Sequence, residues 1–152
     1  MKSTHLHLSI LPDMYAVSRL PPKATIPDWG TVSPFYSVTQ TSDEISIVCK
    51  SKEVPAGVKA ERNWRMIKVE GPLNFSLVGI LASLAVPLAK AQISIFAIST
   101  FDTDYLLVQD KSFSKAITVL RESGFTVTLK KSLLRANFQR GRFLKPHLYG
   151  GG

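Results

Sequence analysis

Apolar and polar residues alternate along the first fifty positions, a pattern typical of half-buried β-strands. In the segment LHLSI at 6–10, every second residue is aliphatic. Pro12-Asp13 is a turn signal, and four prolines between positions 21 and 34 indicate a loop. The pattern therefore predicts four short strands in this part of the chain, over residues 5–11, 15–20, 35–41 and 44–50.

The pattern changes after the segment VPAG at 54–57, which we take as the boundary between two halves. A strand over 64–70 is followed by leucines spaced three or four residues apart, which predict an amphipathic helix over 75–91. Asn74 or Ser76 suits the N-cap of this helix, and Pro87 lies in its last turn. Two strands, a helix that starts at Ser112 and stops at Gly124, and a last strand follow; the strands cover 93–100, 105–108 and 125–129.

The second half thus has the order β-α-β-β-α-β, the split βαβ arrangement of ferredoxin-like folds. That fold has an antiparallel sheet with both helices on one face. The first half supplies strands without a convincing helix, and its sheet is expected to extend or stack on the other. We predict an α+β protein with a reduced, mostly β unit over 1–57, a complete unit over 58–129 and a tail over 130–152.

Cysteine usage and hydropathy indicate a soluble, cytoplasmic protein. The one cysteine, Cys49, cannot form a disulfide within the chain, which fits a reducing compartment. The N-terminal alternation lacks the continuous apolar run of a signal peptide. The most apolar window, 77–98, is interrupted by Pro87, Lys90 and Gln92, whereas a membrane span needs about 20 mostly apolar residues.

The net charge of +8 is concentrated at one end of the chain. Residues 130–152 include six basic and no acidic side chains, whereas residues 1–129 include 13 basic and 11 acidic ones. A basic run can bind nucleic acid by counterion release, but such runs are more commonly solvated. No stacking aromatics or recognition helix accompany this one. We predict a solvated tail, with any nucleic-acid binding confined to it, and no membrane partner.

No set of residues has the spacing of a catalytic or metal site. His5 and His7 share a strand face, but two ligands without a third nearby make a poor metal site. Cys49 lies on an alternating strand, where a core thiol is expected rather than a nucleophile. The serines have no neighbouring base, and Gly71-Pro72 lacks the glycine spacing of a phosphate loop. We predict no enzyme activity, no metal and no cofactor.

Two loops of the predicted second unit suggest a ligand site. The start of the 75–91 helix presents unpaired backbone N–H groups, which suit a carboxylate. The turn at 99–104, with sequence STFDTD, presents carboxylates that can hold an ammonium group. An anion receptor beside a cation receptor describes an amino-acid site. The alternative is that Asp102 and Asp104 only shape the turn, as aspartate often does.

Two segments carry a family resemblance that covers nearly the whole chain to about residue 129. The run EGPLNFSLVGILASLAVPLAKAQISIFAISTFDTDYLLVQD closely resembles bacterial ACT-domain proteins in which a truncated ACT-like unit precedes a complete one. The upstream run FYSVTQTSDEISIVCKSKEVP is similar to the truncated unit. The pattern also resembles one half of the cytosolic arginine sensors of the TOR pathway, which hold tandem ACT pairs.

The resemblance implies regulation by an amino acid bound between ACT units. Because this chain has one complete unit, a shared site implies a homodimer. No acidic residue lies between Gly71 and Lys90, so the resemblance does not specify arginine as the ligand. Asp104 is the expected partner of the ligand's cation. On the matching positions the implied ligand shell is Asn74, Phe75, Ser76, Leu77, Ser94, Ile95, Thr100, Phe101, Asp102 and Asp104.

The leading hypothesis is therefore a homodimeric regulatory module of the ACT type that binds an amino acid. The runner-up is a ligand-free interaction or dimerisation module, in which Phe75, Leu77 and Phe101 fill the pocket. A nucleic-acid binder that acts through the basic tail is third, and an enzyme is last.

Overall fold

The structure, a computed structural model, describes residues 6–71 and 78–130. In these ranges it has seven strands and two α-helices, together with short 3-10 helices at Asp28–Thr31 and Ser51–Glu53. The strands are β1 (His7–Leu20), β2 (Ser37–Gln40), β3 (Ile45–Lys50), β4 (Ala60–Val69), β5 (Ile95–Ser99), β6 (Asp104–Gln109) and β7 (Thr126–Leu129). The helices are α1 (Ile80–Lys90) and α2 (Asp110–Glu122). The chain is an α+β protein, as predicted.

The first strand is longer than its sequence suggests. The separate strands predicted over 5–11 and 15–20 are wrong, because β1 continues through Pro12 and Asp13. On one side of β1, β7 pairs with residues 7–10 and β3 with residues 15–20. On the other side, the register with β4 shifts between Ile10 and Met14. Pro12 therefore lies where the ladders are interrupted on both sides, so its missing N–H breaks no regular pairing.

A single sheet joins the two halves of the chain. Its order is β2-β3-β1-β4-β6-β5, with β7 paired to β1. All pairs are antiparallel except β1 with β7, which are parallel. The first half was expected to extend or stack on the sheet of the second, but it also contributes a strand to the interior, because β1 lies between β4 and β7. The ferredoxin-like unit is therefore closed by a strand from the first half.

Both helices pack on one face of the sheet, as predicted. The buried residues of α1 are Ile80, Leu84 and Leu88, and those of α2 are Ala116, Ile117 and Leu120. They form one core with aliphatic residues of four strands, Leu8, Ile67, Val69, Leu106, Val108 and Val127. Each fully buried leucine or isoleucine contributes about 1.5–3 kcal/mol relative to an exposed one.

Both α-helices begin at residues other than the predicted ones. The predicted start of α1 at 75 is wrong, because the helix begins at Ile80, after Gly79. The φ of Gly79 is +77°, outside the right-handed helical region. The predicted start of α2 at Ser112 is also wrong, because β6 passes directly into the helix at Asp110.

The predicted C-terminal glycine of α2 is confirmed. Gly124 has a φ of +99°, which an L side chain rarely adopts. Its N–H donates to the carbonyl of Arg121 at 3.0 Å, and the N–H of Phe125 donates to the carbonyl of Leu120 at 3.1 Å. This is the Schellman motif, which satisfies carbonyl groups at the helix end.

On the face of the sheet opposite the helices, aromatic side chains cluster near the centre. Tyr15 and Trp64 pack there with Met66 and Leu107. Phe35, from the loop before β2, lies edge-on to Tyr15 with the ring centroids 6.0 Å apart. A further cluster, on β1 and β3, includes Cys49, which is fully buried and therefore confirmed as a core thiol. Within the described ranges, no helix is long and apolar enough to cross a membrane.

Candidate functional site

The tight turn between β5 and β6, which we call the hairpin bend (residues 100–103), is held by its two threonines. The N–H of Thr100 donates to the carbonyl of Thr103 at 2.8 Å. The hydroxyl of Thr100 also donates to that carbonyl at 2.9 Å and accepts from the N–H of Thr103 at 3.2 Å. Asp102, within the bend, and Asp104, directly after it, are therefore presented by a segment of defined shape.

Asp104 lies where β6 leaves the hairpin bend. The hydroxyl of Ser99, the cross-strand neighbour of Asp104, donates to its carboxylate oxygen Oδ1 at 2.6 Å. Asp104 is partly buried, whereas Asp102 is exposed. A carboxylate accepts several hydrogen bonds at once, so one oriented by Ser99 can also receive an ammonium or guanidinium group.

The hairpin bend is attached to the sheet through Thr103. This side chain is 4% exposed, and its hydroxyl donates to the carbonyl of Val69 at 2.5 Å. Val69 is the last residue of β4, from which the chain continues through Gly71 towards α1. The bond therefore places the hairpin bend beside the strand end that leads into α1. The hypothesis requires the bend to lie beside the start of α1 itself, which stays a prediction because residues 72–77, between β4 and α1, lie outside the described residues.

The start of α1 is displaced from its predicted place. The predicted site residues Asn74, Phe75, Ser76 and Leu77 lie outside the described residues, so their contribution stays a prediction. The N-cap expected at Asn74 or Ser76 is wrong, because the helix is preceded by Gly79, which offers no side-chain cap. The first N–H groups of a helix without such a cap suit a carboxylate ligand. Any such site on α1 therefore begins at Ile80, later in the chain than predicted.

Ser94 and Ile95 lie at the opposite end of β5 from the hairpin bend. Ile95 is the first residue of the strand and pairs with Val108, whereas Ser99 is the last and pairs with Asp104. At about 3.3 Å per residue, the two ends of this strand are about 13 Å apart. Within one chain, the predicted ligand shell is therefore not brought together. Thr100, Phe101, Asp102 and Asp104 form one group, and Ser94 and Ile95 lie in another place.

The strand that carries both groups, β5, lies at the end of the sheet formed by residues 6–71 and 78–130. β5 pairs with β6 on one side and occupies the end of the strand order. An edge strand presents a row of backbone N–H and C=O groups that can pair with another chain.

Sequence patterns missed two residues near the hairpin bend. Thr103 was not among the predicted site residues, because the partner that makes it structural, Val69, is 34 positions away. Glu70, next to Val69, accepts a hydrogen bond from the Ser9 hydroxyl at 2.6 Å and lies 3.5 Å from the Lys68 ammonium. The Ser9 bond is the main cause that lowers the pKa of Glu70, with Lys68 adding to the effect. Only the T-x-x-T spacing at 100–103 hints at this arrangement from the sequence.

The histidine and the cysteine considered above for metal binding and catalysis have structural roles in the sheet and its core. The ring of His7 hydrogen-bonds with the hydroxyl of Thr128 at 2.6 Å, and burial raises the pKa of the Cys49 thiol to about 11. No group of histidine, cysteine, aspartate or glutamate side chains is placed to hold a metal ion in the part of the chain that the structure describes.

Comparison with known proteins finds matches for both halves of the chain. The ACT domain family model matches residues 59–122, and an N-terminal domain family model matches residues 13–57. The protein named cytosolic arginine sensor for mTORC1 subunit 1 from Rattus norvegicus is 34% identical over 100 residues, which are 60% of this chain and 30% of that protein. The chain therefore spans about a third of the length of this curated relative.

Solved structures agree with this fold. A crystal structure of a protein from Agrobacterium tumefaciens has a TM-score of 0.81 and 35% identity, and the match covers 86% of this chain and 97% of that one. The regulatory subunit of aspartate kinase from Thermus flavus has a TM-score of 0.53 and 10% identity, with 79% and 97% coverage. The second likeness concerns the fold alone.

Proposed function

Since the chain belongs to the ACT-domain proteins, we propose that it is a cytoplasmic, non-catalytic regulatory module that binds an amino acid between two copies of itself. The observation that carries the proposal is the Asp104 carboxylate, oriented by Ser99 at the end of the edge strand β5. A curated relative is named as an arginine sensor, which supports an amino acid as the ligand class.

Pairing of two copies would complete the ligand shell. If β5 of one copy pairs antiparallel with β5 of another about a two-fold axis, the start of each strand lies beside the end of the other. Ser94 and Ile95 of one copy would then lie beside the hairpin bend of its partner. In the dimer, the two groups that are separate within one chain would lie side by side at two equivalent sites.

The chemistry of this site would be that of two complementary receptors. Asp104, with Asp102 nearby, would bind the ammonium group by charge-assisted hydrogen bonds. Backbone N–H groups at the start of α1 would bind the carboxylate, aided by the helix dipole. Because the ligand would bind the native dimer and not the unfolded chain, it would stabilise the dimer by mass action.

A thermal-unfolding screen against the twenty amino acids tests the ligand. We expect at least one amino acid to raise the melting temperature of the wild type in a concentration-dependent manner, and Asp104→Asn to abolish that rise. Asp43→Asn is the control for loss of a carboxylate elsewhere, because Asp43 lies exposed between β2 and β3, at the other end of the sheet from β5. A rise that persists in Asp104→Asn would contradict the assigned role of Asp104. A flat response to all twenty would favour the ligand-free dimerisation module instead.

Sedimentation equilibrium tests the pairing. Ala97 is exposed at the centre of β5, so in Ala97→Lys two ammonium groups would oppose each other across the two-fold axis. Like charges directly opposite are destabilising in a strand pair. We expect this variant to sediment with half the wild-type mass and to lose the response to the amino acid. Ala97→Val should keep both.

A further inference from the structure

The face of the sheet opposite α1 and α2, which we call the helix-free face, is rich in apolar side chains. An antiparallel sheet with one face in water usually carries polar side chains on that face. Here the strands contribute an apolar cluster of Leu11, Tyr15, Val17, Val48, Trp64, Met66, Phe96, Ile98, Tyr105 and Leu107. In the described ranges, Phe35 is the one member of this cluster that lies outside the strands. The helix-free face therefore has the composition of a covered surface.

Trp64, on β4, brings a polar group to this face that lacks a partner. The residue is 8% exposed, and no residue in the part of the chain that the structure describes accepts from its indole N–H. Phe35 contacts Tyr15 and Tyr105, whereas the Trp64 ring lies edge-on to Phe96, with the ring centroids 6.4 Å apart. Buried donors are nearly always paired, so an acceptor is expected from outside the described residues.

The chain continues from β7 on the side of the helix-free face. The N–H of Lys130 donates to the carbonyl of Ile10 at 2.8 Å, which extends the pairing of β7 with β1 by one residue. The Lys130 ammonium lies 4.0 Å from the Glu70 carboxylate, which accepts from the Ser9 hydroxyl. Leu8 and Ile10 lie in the core under the helices, so Ser9 between them points to the helix-free face. The segment 131–152 therefore starts at this face.

The strand register places the start of that segment level with the apolar cluster. Ile10 lies opposite Leu129 of β7 on one side and opposite Ile67 of β4 on the other. The chain leaves β7 one residue later, level with the row that contains Met66 and Phe96. Four strand spacings separate β7 from β5, which at about 4.8 Å each is about 19 Å. About six extended residues span this distance.

The first part of the tail contains the apolar residues that such a face requires. Between positions 131 and 145, large apolar side chains stand among the basic ones, namely Leu133, Leu134, Phe138, Phe143 and Leu144. Segments that stay in solvent are poor in aromatic and aliphatic residues, because they bury too little apolar surface to fold. Charge predicted a solvated tail, but these apolar residues favour a tail that packs.

We infer that residues 131–145 pack across the helix-free face of their own chain, with the first leucines and Phe138 against Trp64 and Phe96. The segment is attached at the rim of the face, so its effective concentration there is on the order of millimolar, which favours its own chain over a second copy. A carbonyl group of the segment accepts from the Trp64 indole N–H. The lysine and arginine stems cover apolar surface while their charged ends stay in water.

The helix-free face is not the face that carries the candidate ligand site. Leu106 and Val108 lie in the core under the helices. Asp104 stands on the same side of β6, because residues two apart in a strand share a face. The inference therefore does not depend on the proposed function.

Tryptophan fluorescence of the full chain tests this inference. The chain has two tryptophans, so Trp29→Phe leaves Trp64 as the one reporter, and we call this protein the parent. In the parent, Leu133→Ser, Leu134→Ser and Phe138→Ser together, the apolar variant, should shift the emission of Trp64 to longer wavelength and increase its quenching by acrylamide.

Asn137→Ser with Gln139→Ser is the matched control, because it changes polar positions in the same part of the tail. It should leave both the emission and the quenching of the parent unchanged. Far-UV circular dichroism should show the same folded signal in all three proteins, because the substitutions lie outside the described strands and helices.

Three results would overturn the inference. They are unchanged quenching of Trp64 in the apolar variant, an equal change in the polar control, and quenching of the parent that increases on dilution, which would assign the cover to a second copy. If the apolar variant does not fold, Phe138→Trp in a chain with Trp29→Phe and Trp64→Phe reports on the tail directly. We expect the emission of a buried indole, and the emission of a solvated indole would equally overturn the inference.

Discussion

Replacement of Thr103 by valine tests how the hairpin bend is joined to the sheet. The two side chains have nearly the same shape, so Thr103→Val removes the hydroxyl that donates to the Val69 carbonyl at 2.5 Å and leaves the packing volume intact. Thr103 is 4% exposed and Val69 is fully buried. Water therefore cannot easily replace the lost donor at the Val69 carbonyl.

The expected cost follows from that burial. A buried acceptor that loses its partner costs about 1–3 kcal/mol, so we expect the free energy of unfolding to fall by about 2 kcal/mol. For a domain of this size, each kcal/mol lowers the melting temperature by about 4 °C. A decrease of about 8 °C is therefore expected.

Urea unfolding followed by circular dichroism measures the change, and calorimetry measures the melting temperature. Thr118→Val is the matched control, because the Thr118 hydroxyl is exposed and donates only to the Ser114 carbonyl within α2. Its cost should stay within about 0.5 kcal/mol. Thr103→Ser should retain most of the stability, since it keeps the donor. A cost of Thr103→Val no larger than that of Thr118→Val would refute the reasoning.

The other predictions concern a thiol, a carboxylate and an arginine. Burial raises the pKa of Cys49 to about 11, so a thiol reagent such as dithionitrobenzoate should label the folded protein far more slowly than the urea-unfolded chain; equal rates would contradict the burial. The Ser9 hydroxyl lowers the pKa of Glu70, so its stabilising effect is present above the unfolded-state pKa of about 4.3 and is lost as the pH falls. The stability difference between wild type and Ser9→Ala, measured by urea unfolding, should therefore shrink from pH 7 towards about pH 3, and a constant difference would argue against a role of the charge. The Arg62 guanidinium donates to the carbonyls of Ser51, Val54 and Pro55 at 3.1–3.3 Å; Arg62→Lys should cost about 1–2 kcal/mol in urea unfolding because a lysine cannot span three acceptors. Arg19→Lys, which replaces a single bond to the Asp43 carbonyl, should cost clearly less.

Local pattern predicted the elements of this protein well. Periodicity located both helices and the strand-rich character of the first half, because burial of one face imposes a repeat on neighbouring residues. Gly124 was recognised as a helix stop because a positive φ favours glycine wherever it occurs. Such features depend on residues within one or two turns, so they can be read from the sequence.

One error came from interactions between distant residues and another from a misleading local repeat. Pro12-Asp13 predicted a turn, but β1 continues because β7 and β3 pair with different parts of it. Gly79, which precedes α1, was not recognised as the helix boundary, because the leucine repeat in the sequence continues through it.

Some features of the candidate site were likewise predicted from the sequence, and others became visible only in the structure. Thr100, Asp102 and Asp104 were recognised from composition and turn chemistry, and Asp104 has the polar neighbour, Ser99, that a hairpin places opposite it. The separation of Ser94 and Ile95 from that bend was not foreseen, although both stand near the start of the predicted strand over 93–100, which separates them from the bend. The role of Thr103 depends on Val69, which only the folded sheet brings into reach.

By itself, the sequence determined the α+β class, the order of the elements from β4 to β7 and the type of chemistry available, since each follows from local periodicity and residue type. The tertiary structure decided where β1 lies in the sheet and, among the described residues, that β5 is the strand at one end of it. These features arise from pairing and packing between residues far apart in the chain, for which neighbouring residues carry no signal.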